Sequence, residues 1–414
     1  MHQYINNIGR EVLEVAGIQY FDYHFYIVNS SQFNAFAAPS GLIFFYSNLI
    51  ESMNSEDELI SVIAHEIGHV VRRHLASRME KGAIINMATL GVALAALALG
   101  GGAVTQGLLT GSLAAGQSAQ LHFSRQDETE ADLLAYKWMR DLNRDTEGQK
   151  KMLQTMRRIT RYRMNQIPQY LLTHPDPEAR LDYVESLISA DSDYKKKDDE
   201  QKDFSFLRFK YRIMSLDQNT STMRALLASK ISDARMSAFD VAMARYGLSQ
   251  VDRQENNLEQ SLKGLDQVIR DFPEQPMLLV DKAVVLAEMG SYNEAKILLE
   301  KVQTLEPYNM YATFNLAKLL NKLGQNEKSL KLFNRVSYQI PEFSDVYFEM
   351  GRILAQQGKS NESRYYLGKF NLYEGKLKLA EANFRQASTA ADVDNQIKQD
   401  SQEMLALIKR LKKK

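Results

Sequence analysis

The sequence predicts an α+β chain that is mostly helical and divided in two, and three observations predict it. Short alternating or apolar runs are confined to residues 24–47, helical periodicity takes over from Glu56, and a 34-residue period appears in the C-terminal half. With 414 residues, 44% of them hydrophobic and 25% charged, the chain is long enough to bury two ordinary cores. Its 51 basic and 51 acidic side chains cancel, which argues against nucleic acid as a partner. Cysteine is absent, so disulfide frameworks, thiolate metal sites and thiol nucleophiles are excluded together, and His, Asp and Glu remain as metal ligands. The start, "MHQYINNIGREV", has no basic end followed by an apolar core and does not read as an export signal, although removal of such a signal beforehand is compatible with it.

The elements follow in order. "HFYIV" (24–28), "FNAFA" (33–37) and "LIFFYS" (42–47), with "APSG" as a turn between the last two, read as a small antiparallel sheet. "SMNSEDEL" then offers Ser55 as an N-cap, followed by acidic residues that suit the positive end of a helix dipole. Residues 83–99 are nearly all apolar and run into "GGG", but at about 17 residues, Asn86 among them, they fall short of the ~20 that cross a bilayer. A buried or partner-covered helix is expected there, with peripheral membrane contact through residues 83–116 as the alternative. The charged, aperiodic stretch "SADSDYKKKDDEQKD" places a boundary, giving a first domain over 1–188, a linker over 189–203 and a second domain over 204–414.

In the second domain Gly290, Gly324 and Gly358 stand 34 residues apart, as do Pro273, Pro307 and Pro341. This resembles tetratricopeptide repeats, helical hairpins with Gly at the tight turn and small residues such as Ala283 and Ala317 where helices cross. An earlier copy is read around Gly247, but Gly247 to Pro273 is 26 residues against 17 from Gly290 to Pro307, which implies a nine-residue insertion. "YEGKLKLAEANFRQA" reads as a last, shortened copy and "NQIKQDSQEMLALIKRL" as a C-terminal capping helix. Stacked repeats form a concave groove suited to protein partners, and without a ligand they would be a plain helical scaffold.

Three of the seven histidines fall in "SVIAHEIGHVVRRH", residues 61–74. His65 and His69 are four apart on a helix, roughly 40° around its axis, so both imidazoles face one side and can share a metal, with Glu66 beside them. His74 is nine residues beyond His65, about 900° on an unbroken helix, which places it on the opposite side as a surface or packing residue. A catalytic zinc on two histidines needs a third protein ligand and keeps one position open. "SRQDETEAD" (124–132) supplies the candidates: Glu128 and Asp132 are one helical turn apart, so one carboxylate can ligate while the other accepts the N–H of a ligating imidazole. Glu130 points elsewhere, and His122, ahead of the helix, ranks low.

"HEIGH" with "SRQDETEAD" resembles the gluzincin metallopeptidases of the HtpX and prenyl-protein endopeptidase clan, and the pairing of such a domain with tetratricopeptide repeats is similar to bacterial periplasmic protease-chaperones. The similarity runs from "NAFAAPSG" through "SEDEL" and "THPDPEAR" into the repeats. It implies a zincin-like domain followed by a repeat solenoid, one Zn²⁺ per chain held by His65, His69 and Glu128, Glu66 as catalytic acid/base and Asp132 behind a ligand. It also implies a periplasmic address and unfolded or misassembled polypeptides as substrates.

Further roles are read from the residues around that set. Arg180, in "THPDPEAR", is the first candidate for a donor to the developing oxyanion, with Tyr170 behind it. Peptides of such enzymes bind as an added strand, and Asn34, Ala35, Phe36 and Ala37 form the candidate edge. Pro175 and Pro177, just after His174, make its segment a rigid loop, from which the imidazole can take the fourth zinc position and silence the enzyme until the loop moves. The competing function is a chaperone or scaffold whose metal site is idle or latched.

Overall fold

The structure, a computed structural model, describes residues 1–38, 40–75, 77, 123–162, 168–191, 194, 200–216 and 220–412. The apolar run 83–99, the membrane contact expected of 83–116 and His122 lie outside the described residues. Two compact units are present, the first ending at Gln254 and the second running from Glu255 to Lys414. Among the described residues, no helix is long and apolar enough to cross a membrane.

In the first unit, helix α1 (His2–Ala16) buries Ile5, Ile8 and Val12. It lies so close to strand β1 (His24–Val28) that a Cβ on Gly9 would sit 2.2 Å from the Phe25 ring. Asn6 satisfies the backbone of Phe25 in both directions, donating to its carbonyl at 3.0 Å and accepting its N–H at 3.2 Å. Strands β2 (Ala35–Ala37) and β3 (Leu42–Tyr46) complete a sheet of order β1-β3-β2. The sheet is mixed, which corrects the wholly antiparallel arrangement read from the sequence: β2 runs antiparallel to β3, but β1 runs parallel to it. The reason is burial. Ile43, Phe44 and Phe45 of β3 are fully buried, so the most apolar strand takes the centre and the link over 29–34 carries the chain past it to the far edge.

Helix α2 (Ser47–Ser52) leads to α3 (Glu56–Val71), whose N-terminus is capped by Ser55 accepting from the Glu58 N–H. Arg144 pins this end, its guanidinium donating to Glu56 at 2.6 Å and to Glu11 at 2.7 Å. Helix α4 (Arg125–Asp141) starts in a reciprocal cap between Ser124 and Asp127 and crosses α3 at Gly68, where an added Cβ would lie 3.3 Å from the Ala131 Cα. Helices α5 (Glu147–Tyr162), α6 (Gln169–Thr173) and α7 (Pro177–Ala190) follow.

The first unit does not stop at the charged stretch. Helix α8 (Glu200–Met214) buries Phe206, Leu207 and Tyr211, sets the tilted Phe209 ring 4.5 Å from that of Tyr4 and donates from the buried Lys210 ammonium to the Met53 carbonyl. Burial pushes that ammonium down to about 8. Helices α9 (Thr220–Ser232) and α10 (Ala238–Gln254) pack behind it, and Gly247 lies inside α10, where an added Cβ would meet Leu227 at 2.9 Å and Tyr211 at 3.0 Å.

Gly247 is therefore a helix-crossing glycine and not a turn, which corrects the inferred insertion. The residue in register is Asn256, 34 before Gly290 and 17 before Pro273, with φ of 63° where Gly290, Gly324 and Gly358 have 85°, 76° and 78°. Asparagine is the side chain that most readily adopts this left-handed conformation in place of glycine. In the second unit α11 (Leu258–Asp271) precedes the hairpins α12 (Pro276–Glu288) with α13 (Tyr292–Leu305), α14 (Met310–Lys322) with α15 (Asn326–Gln339) and α16 (Ser344–Gln356) with α17 (Ser360–Tyr373). Ala283 and Ala317 are fully buried at the crossings. The hydroxyls of Ser329 and Ser363 bond the Ala317 and Gly351 carbonyls at 2.7 and 2.8 Å, one repeat apart. Gly375 turns the chain into α18 (Leu377–Thr389), and α19 (Asn395–Leu411) covers its apolar face through Ile408.

A fragment ending near Gln254 is expected to unfold cooperatively, whereas one ending near Ala190 exposes the surface that Phe206, Phe209 and Tyr211 cover and melts at lower temperature or aggregates. Circular dichroism melts of the two fragments test this; equal melting would return the boundary to the charged stretch.

Candidate metal centre

The cap of α4 sets Glu128 and Asp132 one turn apart on the face that meets α3, and the close crossing at Gly68 brings them to the histidines. His65, His69, Glu128 and His174 are all buried, and each offers one ligand atom within 4.8 Å of the others. The Nε2 atoms of His65 and His69 are 3.0 Å apart, and each lies 3.5 Å from a Glu128 oxygen. His174, just past α6, brings Nδ1 to 3.1 Å from Glu128 and 3.4 Å from His65 Nε2. Among the described residues, both Glu66 oxygens and His174 Nε2 lack hydrogen-bond partners although they are buried. Buried polar atoms are rarely left so, and two imidazoles with a carboxylate are the donor set of a catalytic zinc site, so the residues fit that ion.

Behind this set lies a charged clamp. Asp132 Oδ1 stands 2.9 Å from His65 Nδ1 and orients that ring. Arg180 donates to both Asp132 oxygens at 2.8 Å and places its remaining nitrogen 2.8 Å from Glu128 Oε2. Burial alone would raise Asp132, but Arg180 and His65 outweigh it and set the carboxyl at about 2. Glu128 likewise resists its burial and is held well below the usual carboxylate range by Arg180 and His174. Burial and the charge of Arg180 push His65 down, yet Asp132 and Glu128 prevail and bring it to about 9; His69, where burial dominates, is driven well below the ordinary imidazole value.

Three residues acquire partners that the sequence did not predict. Arg180 turns its fork onto Asp132 and Glu128, where a permanent cation offsets two buried anions. His74 is not on the far side: α3 ends at Val71, Arg73 takes a left-handed φ of 55°, and the reversal carries His74 back until its Nδ1 is 2.9 Å from His69 Nδ1. Tyr170 stacks on the His174 ring at 4.3 Å instead of presenting a donor. Sequence reasoning also passed over Phe123, which stacks on His69 at 3.9 Å and carried no periodic signal. Glu130 lies 3.6 Å from the Arg72 guanidinium and 3.6 Å from His74 Nε2.

The edge segment is half accessible. The Tyr46 N–H bonds the Asn34 carbonyl and the Ala38 N–H bonds the Leu42 carbonyl, so alternation points the backbone groups of Ala35 and Ala37 away from β3. Asn34 and Ala35 are buried, however, and only Phe36 and Ala37 are partly open. Next to Ala37 a cavity of about 230 Å³ reaches His69 between Ala38, Val70, Leu75, Phe21, Phe123 and Arg73. Its walls are mostly apolar and its size suits one side chain.

Comparison with known proteins agrees with this geometry. Residues 1–188 match the description "Peptidase family M48", and residues 286–347 match "Tetratricopeptide repeat". The beta-barrel assembly-enhancing protease of Yersinia pestis is 35% identical over 181 residues, 43% of this chain and 37% of that one. The protein of the same name from Escherichia coli (strain K12) is 27% identical over 340 residues, 81% and 68% of the two chains. The mitochondrial metalloendopeptidase OMA1 of Schizosaccharomyces pombe is 28% identical over 186 residues, 45% and 52% of the two. The aligned part thus spans 37%, 68% and 52% of the length of these relatives. Residues 1–188 are thus similar to peptidase family M48, and residues 286–347 to a tetratricopeptide repeat.

Replacing Glu128 by Ala is expected to strip the metal from purified protein, while Glu130→Ala keeps it at about one equivalent, because only Glu128 faces both imidazoles. Atomic absorption on the two variants decides; metal lost from Glu130→Ala alone would move the ligand role.

Proposed function

We propose that the chain is a zinc-dependent endopeptidase that cleaves unfolded or misassembled polypeptides in the bacterial envelope, with the repeats recruiting clients or partner proteins. The observation that carries this reading is the buried set of His65, His69 and Glu128 beside Glu66, whose two oxygens have no hydrogen-bond partner among the described residues. Zinc held there supplies Lewis acidity, polarising a scissile carbonyl and lowering the pKa of water towards ~7. Glu66 takes the proton of the attacking water and delivers one to the leaving amine. Asp132 and Arg180 keep His65 and Glu128 in place throughout, so no ligand has to reorganise as charge develops. A client strand pairs with the open end of β2 at Ala37 and seats an apolar side chain in the neighbouring cavity. The periplasmic address and the misassembled clients are supported by the resemblance to protease-chaperones and by relatives named beta-barrel assembly-enhancing proteases.

His174 adds a fourth donor where catalysis needs three, and this favours a latched resting state in which the loop after α6 must move before a substrate carbonyl can enter. If the latch never opened, the chain would act as a binding scaffold alone.

Glu66→Gln is expected to keep its zinc and its affinity for unfolded client while casein cleavage falls by about 10²-fold or more. Near-normal cleavage by that variant would remove the assigned role. For His174→Ala, faster cleavage of unstructured peptides and one fewer nitrogen ligand by X-ray absorption are expected; unchanged coordination would dismiss the latch, and loss of activity with zinc retained would make His174 a substrate-binding residue.

A further inference from the structure

The two histidines of the metal set are backed differently. His65 has the Asp132 carboxylate at 2.9 Å on its Nδ1, whereas the Nδ1 of His69 meets another imidazole, His74 Nδ1, also at 2.9 Å. We propose that His74 is the positioning residue of His69, accepting the N–H of that ring so that its Nε2 is fixed on the metal side. This rests on the metal-centre reading above.

Proton accounting supports the assignment. A neutral His69 that ligates through Nε2 carries its hydrogen on Nδ1 and donates, so His74 Nδ1 accepts and the hydrogen of His74 is on its Nε2. That Nε2 faces two carboxylates, Glu130 at 3.6 Å and Asp127 at 3.8 Å, which attract an N–H and would repel a lone pair. The neighbouring carboxylates thus select one tautomer of His74, and it is the tautomer that His69 requires. Asp127 remains beside that nitrogen when Glu130 is removed. The left-handed turn at Arg73 brings His74 into place, and Phe123 closes the opposite constraint by stacking on the face of His69 at 3.9 Å. His74 itself is only 6% exposed, so water does not substitute for it.

The test measures the zinc affinity of the full chain by competition with a chromogenic chelator, together with the Co²⁺ ligand-field spectrum. His74→Ala and His74→Phe are expected to bind zinc about 10- to 100-fold more weakly and to show an altered Co²⁺ spectrum, because each removes the acceptor. His74→Asn places an amide oxygen near the position of Nδ1 and is expected to restore both readouts, whereas His74→Gln, whose oxygen lies too far along the side chain, is not. Melting of the metal-free variants controls for packing. Wild-type affinity in His74→Phe would overturn the proposal, since that ring fills the space without accepting a hydrogen bond, and so would failure of His74→Asn to recover relative to His74→Ala. Failure of the unaltered protein to bind zinc would instead remove the metal-centre reading, and the proposal with it.

Discussion

The candidate metal centre depends on one buried cation, the fork of Arg180 on Asp132 with its third nitrogen against Glu128. Two carboxylates within a few ångströms in a site that water does not reach would be driven to protonate, and a protonated Glu128 is no ligand. The permanent cation removes that outcome. It also locks geometry, because a guanidinium is planar and binds two oxygens of one carboxylate at once, fixing the orientation in which Asp132 meets His65. The arrangement gives preorganisation more than stability: buried pairs return little net free energy, but losing one partner strands a charge and costs about 3–5 kcal/mol. A family of side chains from α3, α4 and α7 is thereby coupled, and none can be optimised alone.

That coupling requires α3 and α4 to lie unusually close, and the sequence provides for it with Gly68 opposite Ala131. A larger residue at Gly68 would push apart the helices that carry the imidazoles and Glu128, in a region where overpacking costs about 1–3 kcal/mol. The same economy of small residues appears in the second unit, where Ala283, Ala317, Ser329 and Ser363 stand at helix crossings and the two serines return their hydroxyls to a neighbouring carbonyl. The chain thus uses one packing device for two purposes, the geometry of the candidate metal site in one unit and a regular array in the other.

How much of this was legible follows from which features are local. His65 with His69, and Glu128 with Asp132, were readable because both pairs obey the period of an intact helix, and the repeats were readable because glycine and proline recur at 34 residues. His74 was misplaced because the same periodicity was extended past Val71, where a left-handed Arg73 ends it, and no glycine or asparagine marks that turn. Asn256 was missed for the converse reason: a glycine nearby drew the register, although asparagine takes the same conformation. The direction of β1 and the target of the Arg180 fork are set by tertiary packing across long separations, which no window of sequence contains. Arg180 illustrates the limit well, since its charge and its place near the metal were foreseeable but its partners were not.

The loop that carries His174 shows what a latch of this kind demands. It is held by the Phe123 N–H on the Thr173 carbonyl at 2.8 Å, by a longer bond from the Tyr170 N–H to the Phe33 carbonyl at 3.4 Å, and by the buried Tyr170 ring stacked on His174. At about 0.5–1.5 kcal/mol net for each hydrogen bond and roughly 1.5–3 kcal/mol for exposing an aromatic side chain, opening of the proposed latch would cost several kcal/mol and leave the open form scarce at rest. One of those bonds ends on Phe33, two residues before β2, the strand on which a client is proposed to pair. A peptide that adds backbone hydrogen bonds at Ala37 and fills the cavity beside His69 can offset an opening cost of that size only if it binds the open form better than the closed one. On the proposed reading, contact with β2 next to the Phe33 carbonyl on which the loop leans would provide that difference, so that substrate and latch would be opposed through the same few residues.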